Sequence, residues 1–226
     1  MTVAYATAAE LRAQMGKVSA TDDAVLNLIL LSATDALERA CSRVFLKPST
    51  ATAREYYGSG MSYQAIDECT SVTKVEVREA ADLPYVAWSL TTDVVPFCGD
   101  PRWPDFNSIP RTALMVAAGG DYAIFNSSRH GGYDGFTPLE QDTRRADPMV
   151  KVTAYWAYSV AVPPTAKQAV LAQATRWYKR AQGGWSNVLV TGEQGMEMYA
   201  KPGFAALDTD IYAMVVLARL VKPMVG

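Results

Sequence analysis

The segment Thr21–Val44 restricts this chain more than any other. Val25, Leu28, Ile29, Ser32, Ala36 and Ala40 recur at helical spacing as one stripe, and Leu26, Leu30, Ala33, Leu37, Cys41 and Val44 as its neighbour. Two adjacent stripes make an apolar surface over about six turns of helix. A helix apolar over that much of its circumference has to meet more than one partner. Asp22 and Asp23 sit where carboxylates favour the positive end of the helix dipole. Pro48 disfavours helical geometry at the residue before it, so the helix is over by Lys47.

Other helices flank it. Thr7-Ala8-Ala9-Glu10 is a capping-box pattern, followed by Leu11 and Met15 and stopped by Gly16. After Pro163-Pro164, residues Ala166, Ala169, Val170, Gln173, Ala174, Trp177, Tyr178 and Ala181 keep the 3.6 period as far as Gly183-Gly184. Trp185–Ala206 reads as loop or irregular hairpin, and a last helix is expected from Asp208 or Asp210 to about Val221.

Between Pro48 and Val162 the texture changes to strands. The candidates are Thr52–Tyr57, Val72–Glu79, Tyr85–Leu90, Arg111–Ala117 and Val150–Val160, the last dense in β-branched and aromatic residues. Residues 91–148, rich in Pro and Gly, read as long connections on a small antiparallel sheet. The expectation is therefore an α+β chain: a helical bundle of long N-terminal and C-terminal helices with an inserted small antiparallel β region and long loops. Residues 1–47 and 163–226 would form the bundle and tail, and 48–162 the insertion.

Composition excludes several classes. With 226 residues, 50% hydrophobic and 19% charged, the chain can bury a sizeable core without disulfides or metal. Its longest apolar stretches fall short of a membrane span, so no membrane partner is expected, and Met1–Thr7 lacks the basic start of a secretion signal. Cys41, Cys69 and Cys98 fit no zinc spacing and read as free thiols of a reducing compartment. The net charge of −2 divides into 0 for residues 1–47, −5 for 48–162 and +3 for 163–226, too little positive charge anywhere to grip duplex DNA.

Candidate chemistry is sparse. His130 is the only histidine and lies in Ser-Ser-Arg-His-Gly-Gly, which is loop composition. Gly131-Gly132-Tyr133-Asp134-Gly135 lacks the Gly-Lys-Ser/Thr ending of a phosphate loop. Asp67-Glu68 and Asp142 could serve as an acid–base pair only if the fold brought them together, and Cys41 falls on an apolar stripe. Trp88, Trp103 and Trp156 could line a carbohydrate or catalytic cleft in the acidic β region. No enzyme activity, cofactor or metal is expected.

The order of elements resembles a known family. Ser19–Ile29 with Ala40-Cys41-Ser42-Arg43, then Cys69–Arg78, then Val150–Ser159 running through Val162-Pro163-Pro164 into Ala166–Arg180, are similar to tailed-phage head–tail connector proteins, also called adaptor or head-completion proteins. Somewhat under half of the chain takes part. The family commonly has Gly where Ala154 or Ala157 stands here, and the 91–148 connection is longer than in its compact members. The resemblance implies a virion structural protein of the neck, between capsid and tail, assembled in the host cytoplasm. It implies a homo-oligomeric ring, typically of twelve copies, beneath the portal protein. The ring would extend the channel for double-stranded DNA, which passes without tight binding, and would offer a platform to a stopper or tail protein. Stopper and tail terminator are the alternative neck roles. On this basis Leu26, Leu30, Leu37 and Trp177 are the expected inter-subunit packing residues, and Arg219, Lys222, Pro223, Met224 and Val225 the expected portal-docking residues.

Overall fold

A computed structural model describes residues 3–16, 22–79, 82–99, 105–126, 148–182, 188–191, 197–199 and 207–222. The chain divides into two compact units, one made of Met1–Phe45 with Ala161–Gly226 and the other of Leu46–Val160.

The first unit is helical. Helix α1 (Ala8–Met15) begins with the capping box read from the sequence: the Glu10 amide donates to Thr7 Oγ1 at 3.2 Å and the Thr7 amide to Glu10 Oε2 at 2.9 Å. Helix α2 (Asp23–Cys41) packs on α3 (Pro164–Gln182), which also carries α1 and α4 (Thr209–Leu217). The core between them is built from Leu11, Leu26, Leu30, Ala33, Leu37, Ala166, Ala169, Val170 and Ala174. Small side chains at Ala33, Ala166, Ala169 and Ala174 leave room for helix backbones to approach. A two-stranded hairpin, β8 (Val188–Thr191) and β9 (Glu197–Tyr199), precedes α4.

The second unit holds two antiparallel sheets. One has the order β1-β7-β3-β4, from Thr52–Tyr56, Val150–Tyr155, Ser71–Val77 and Val86–Trp88. The other has the order β2-β6-β5, from Tyr63–Cys69, Arg111–Val116 and Val94–Phe97. Strand β7 alternates as its period of two requires: Val150, Val152 and Ala154 point inwards, and Lys151, Thr153 and Tyr155 are half-exposed. One core joins the sheets, with Val75, Val77, Trp88, Val150 and Val152 from the first and Ile66, Cys69, Val94 and Leu114 from the second. Gly58 passes so close to the 122–126 segment that a Cβ there would lie 1.6 Å from the Asn126 carbonyl oxygen. The neighbouring backbone pairs with the same segment, Gly60 N–H to Phe125 O at 2.9 Å and Phe125 N–H to Met61 O at 2.8 Å.

This architecture corrects the expected helical bundle of long terminal helices. The β part is no small insertion but a two-sheet unit, and the four helices are short. Helix α2 ends at Cys41 rather than near Val44, because Ser42 turns left-handed at φ 52° and its amide and that of Arg43 close on Arg39 O and Glu38 O. Helix α4 spans only 9 residues; Ala218 caps it and Arg219 turns at φ 55°, so it stops short of Val221. Two strands escape the pattern reading. In β2 the buried position is polar Gln64 while Tyr63 and Ala65 face out, which inverts the alternation. In β5 Pro96 argues against a strand, yet β5 is a sheet edge, where a missing N–H is tolerated.

Candidate assembly surfaces

The outer side of α2 carries a run of apolar side chains that its own unit leaves uncovered. Leu28 is 65% exposed, and Val25 and Leu31 are exposed beside it. The run continues towards the helix end as Asp35 and Arg39, an i,i+4 ion pair at 3.0 Å. Leu26, Leu30 and Leu37 sit on the opposite side and are fully buried, covered already by their own chain. Trp177 on α3 is half-buried. The two stripes of the sequence thus separate, one into the core and the other largely onto the surface.

Helix α4 offers a second such face. Ile211, Val215 and Leu220 pack inwards, whereas Tyr212, Val216 and Leu217 are exposed, Leu217 at 84%. The start of this helix is clamped to α3 by charge. Arg176 reaches both Asp208, at 3.1 Å, and Asp210, and Arg180 Nη2 reaches Asp208 Oδ1 at 3.2 Å. The Arg176 hydrogen bond holds the Asp210 carboxyl down at about 2. Its other end is tied to α2: the buried Arg43 guanidinium donates to Leu220 O at 2.9 Å, and the Lys222 amide to Cys41 O at 2.9 Å. The Arg43 guanidinium thus satisfies a carbonyl in the turn that follows α4, which would otherwise be a buried unpaired acceptor. Of the expected docking residues, Arg219 is exposed and Lys222 half-buried, and neither makes an ion pair among the described residues. Pro223, Met224 and Val225 lie outside the described residues.

The second unit has an apolar face of its own, on the outside of the β2-β6-β5 sheet. Tyr63 and Met115 are cross-strand neighbours with Val95 and are both exposed. Phe97 stacks on exposed Phe106 with centroids 4.6 Å apart and takes Tyr63 edge-on at 5.8 Å. Sequence reading passed over this surface because its apolar residues lie on the face that an alternating strand ordinarily gives to water.

Among the described residues the candidate chemistry is not drawn together. Asp67, on β2, accepts from Arg54 Nη1 at 2.7 Å and from the Tyr56 hydroxyl at 3.0 Å, both on β1 of the other sheet, so its carboxylate serves to tie the two sheets together. His130, Gly131–Gly135 and Asp142 lie outside the described residues, as does Trp103. Trp88 is 5% exposed, stacked on Tyr122 at 4.2 Å and on Phe125 at 5.2 Å. Trp156 is 6% exposed, with its indole N–H on Thr52 O at 2.8 Å. Neither ring offers an open stacking face. A pocket of about 380 Å³ lies beside Trp88, lined by Val77, Val86, Tyr122 and Ile124 with Glu79, Asp121 and Asn126. Among the described residues no group of three or more His, Cys, Asp or Glu side chains could hold a metal ion. Burial pushes the Cys41 thiol up to about 11 and the Cys69 thiol up to about 12, the opposite of what a nucleophile needs.

Comparison with known proteins adds the fold. No family model and no curated protein matches the sequence. Two solved structures resemble the chain over almost its whole length. A chain in the neck of an empty gene transfer agent (GTA) particle, computed with C6 symmetry, has TM-score 0.51 and 17% identity, covering 98% of this chain and 92% of that one. A chain in the virion of a native gene transfer agent particle has TM-score 0.50 and 18% identity, covering 98% and 93%. This chain shares the fold of those particle chains. At such identity no side chain can be carried across, so the open faces of α2, α4 and the second sheet stand on their own geometry.

Proposed function

We propose that this protein is a structural component of the neck of a phage-like particle, and within it the head–tail adaptor. The observation that carries the reading is the likeness to a gene transfer agent neck chain across 98% of this chain, which includes both units rather than a shared fragment. The uncovered apolar faces of α2 and α4 support it, since a chain that closes into a ring needs matching surface on two flanks. The modest charge supports it too: a lumen without clustered Lys and Arg lets duplex DNA slide.

In this role the protein forms a ring of about twelve copies beneath the portal. It continues the DNA channel, passes the duplex without holding it, and presents its far side to a stopper or tail protein. The C-terminal end, from Arg219 and Lys222 into Pro223, Met224 and Val225, docks on the portal. It does no covalent chemistry and needs no cofactor. Because Ile211, Val215 and Leu220 close the helical unit, the docking role belongs to the residues after α4 rather than to the helix.

Electron microscopy of the purified protein, alone and mixed with its portal, tests the reading. Rings, or density capping the portal, are expected. A protein that stays monomeric and leaves the portal bare would remove the adaptor role. Truncation after Leu220 refines the test: folding and ring formation should persist while portal binding is lost.

A further inference from the structure

We infer that the cavity beside Trp88 is a seat for an arginine side chain presented by the stopper or tail protein. That the cavity takes an aliphatic cation stands on its own geometry. That the cation belongs to a neighbouring protein rests on the adaptor reading, and because the residues after α4 serve the portal, the occupant is placed on the other neighbour.

The cavity, of about 380 Å³, has two kinds of wall. One is apolar and open to water: Val86 is 50% exposed and Ile124 47%. Tyr122 adds a ring that is held in place by its stack on Trp88, with centroids 4.2 Å apart. The other kind is acidic, from Glu79 and Asp121, both exposed. Glu79 stands two residues beyond Val77, the partner of Val86 at the edge of the four-stranded sheet. Asp121 immediately precedes Tyr122 in the segment that covers Trp88.

Charge complementarity identifies the occupant. Elsewhere in the β unit carboxylates meet cations: Asp67 with Arg54 at 2.7 Å, Glu76 with Lys74 at 2.8 Å and Glu55 with Lys151 at 4.0 Å. Glu79 and Asp121 have neither ion pair nor hydrogen bond among the described residues. The cation nearest to Glu79 in sequence, Arg78, is engaged elsewhere. Its Nε donates to Pro148 O at 2.8 Å, and its guanidinium lies 5.1 Å from the Tyr85 ring centre. Residues 48–162 carry a net charge of −5, so the surrounding field favours a cation as well.

The walls narrow the class. A bare metal ion would want more oxygen ligands than two carboxylates give. A volume within the range of about 300–1,000 Å³ usual for ligand pockets has room for an organic group. An arginine side chain matches each wall: its methylene stem covers Val86 and Ile124, and its planar guanidinium can meet a carboxylate while lying against Tyr122.

Methyl NMR of the full chain labelled at isoleucine tests the cation site. Of the five isoleucines, Ile124 lines the cavity, Ile66 lies in the neighbouring core and Ile211 in α4. Titration with n-propylguanidinium, the arginine side chain without its backbone, should shift Ile124 saturably at millimolar concentrations and leave Ile211 in place. Uncharged n-propylurea should not shift it. The double variant Glu79→Gln/Asp121→Asn should weaken the guanidinium roughly fivefold or more, with the Ile66 and Ile211 signals unchanged as the check on folding. An unmoved Ile124, equal binding of the urea, or undiminished affinity in the variant would each overturn the cation site. None of these touches ring formation or portal binding, on which the adaptor reading stands or falls.

Electron microscopy of assembled necks tests the source of the cation. The double variant should form rings and bind portal normally but fail to hold the stopper or tail protein. Loss of rings would overturn this occupant in favour of a second copy, and loss of portal binding would overturn it in favour of the portal. Normal neck completion by the variant, with guanidinium binding established in the wild type, would overturn the side-chain source and leave a free organic cation as the occupant.

Discussion

The helical unit and the β unit bury their apolar surface by different means. In the helical unit the core is Leu and Ala on four short helices, and the helices are pinned at their rims by charge: Arg12 to Asp23, Lys167 to Glu10, Arg176 and Arg180 to Asp208. In the β unit the core is aromatic and β-branched, and the chain is locked by backbone contact, with Gly58 against Asn126 O and Gly120 against Thr92 O. Charge clamps on a helix rim leave the outer faces free, which is where Val25, Leu28 and Leu217 stand exposed. Backbone locks leave no slack for an added atom. The helical unit should therefore forgive surface change and punish core change, whereas the β unit should fail at positions that bear no side chain at all.

The strongest way to break that contrast is Gly58→Ala. The added Cβ would fall 1.6 Å from a carbonyl oxygen, so either the 58–61 turn or the 122–126 segment must move. We expect a loss of at least about 4 kcal/mol from the β unit. Hydrogen exchange should show protection falling in β2, β6 and β7 while the amides of α2 and α3 keep theirs. Equal loss in both units would mean that they do not stand as separate cores.

Second in size is Leu37→Ala, at a fully buried position of α2. Removing that side chain from between α2 and α3 should cost about 3 kcal/mol. The companion change Leu28→Ala, on the exposed face, should stay within about 0.5 kcal/mol. Thermal or denaturant melts of the two variants check this directly. If Leu28→Ala proved as costly as Leu37→Ala, the outer face would be packed within the free chain.

How much of this could be read along the chain follows from the same contrast. Helical order is local, so Thr7 with Glu10, the 3.6 period of α3 and the stripes of α2 announced themselves. Which stripe was the core did not, because both are apolar and only the position of α3 decides between them. The β unit is held by pairings between distant strands, such as Val75 with Val152 and Tyr63 with Met115, and a single sequence does not reveal the order β1-β7-β3-β4. Gln64 inward and Tyr63 outward misled the alternation rule outright. The assembly faces suffered most: exposure is a property of the folded unit, so Leu26 and Leu28 look alike until α3 covers one of them.

A smaller effect is expected at the first helix. Thr7→Ala removes the hydroxyl that accepts the Glu10 amide, and the loss of half a capping box costs about 1 kcal/mol. Because α1 packs on both α2 and α3, the loss should appear in the melt of the helical unit and leave the β unit unmoved. Thr7→Ser, which keeps the acceptor, should restore most of it.

The smallest effect probes the rim clamp of α4 through pH. The Arg176 hydrogen bond depresses the Asp210 carboxyl from its ordinary 3.8 to about 2 in the folded protein. A group with a depressed folded value contributes stability that is fully present above its unfolded value and is lost as pH falls through the folded one. The contribution is therefore intact above about pH 4 and fades between pH 4 and pH 2. The Asp210 side chain is 64% exposed and Arg176 39%, so solvent screening reduces the contribution to about 0.5–1 kcal/mol. Asp210→Asn should lower the stability of the helical unit by that amount at pH 7, and the two proteins should converge as pH approaches 2. The half-buried Glu38 carboxyl, raised by desolvation, acts with the opposite sign, but it is common to both proteins and drops out of their difference. A gap between wild type and Asp210→Asn that persisted unchanged at pH 2 would show that Asp210 holds α4 by packing rather than by charge, and the distinction between charge-pinned helices and backbone-locked strands would lose its footing at that helix.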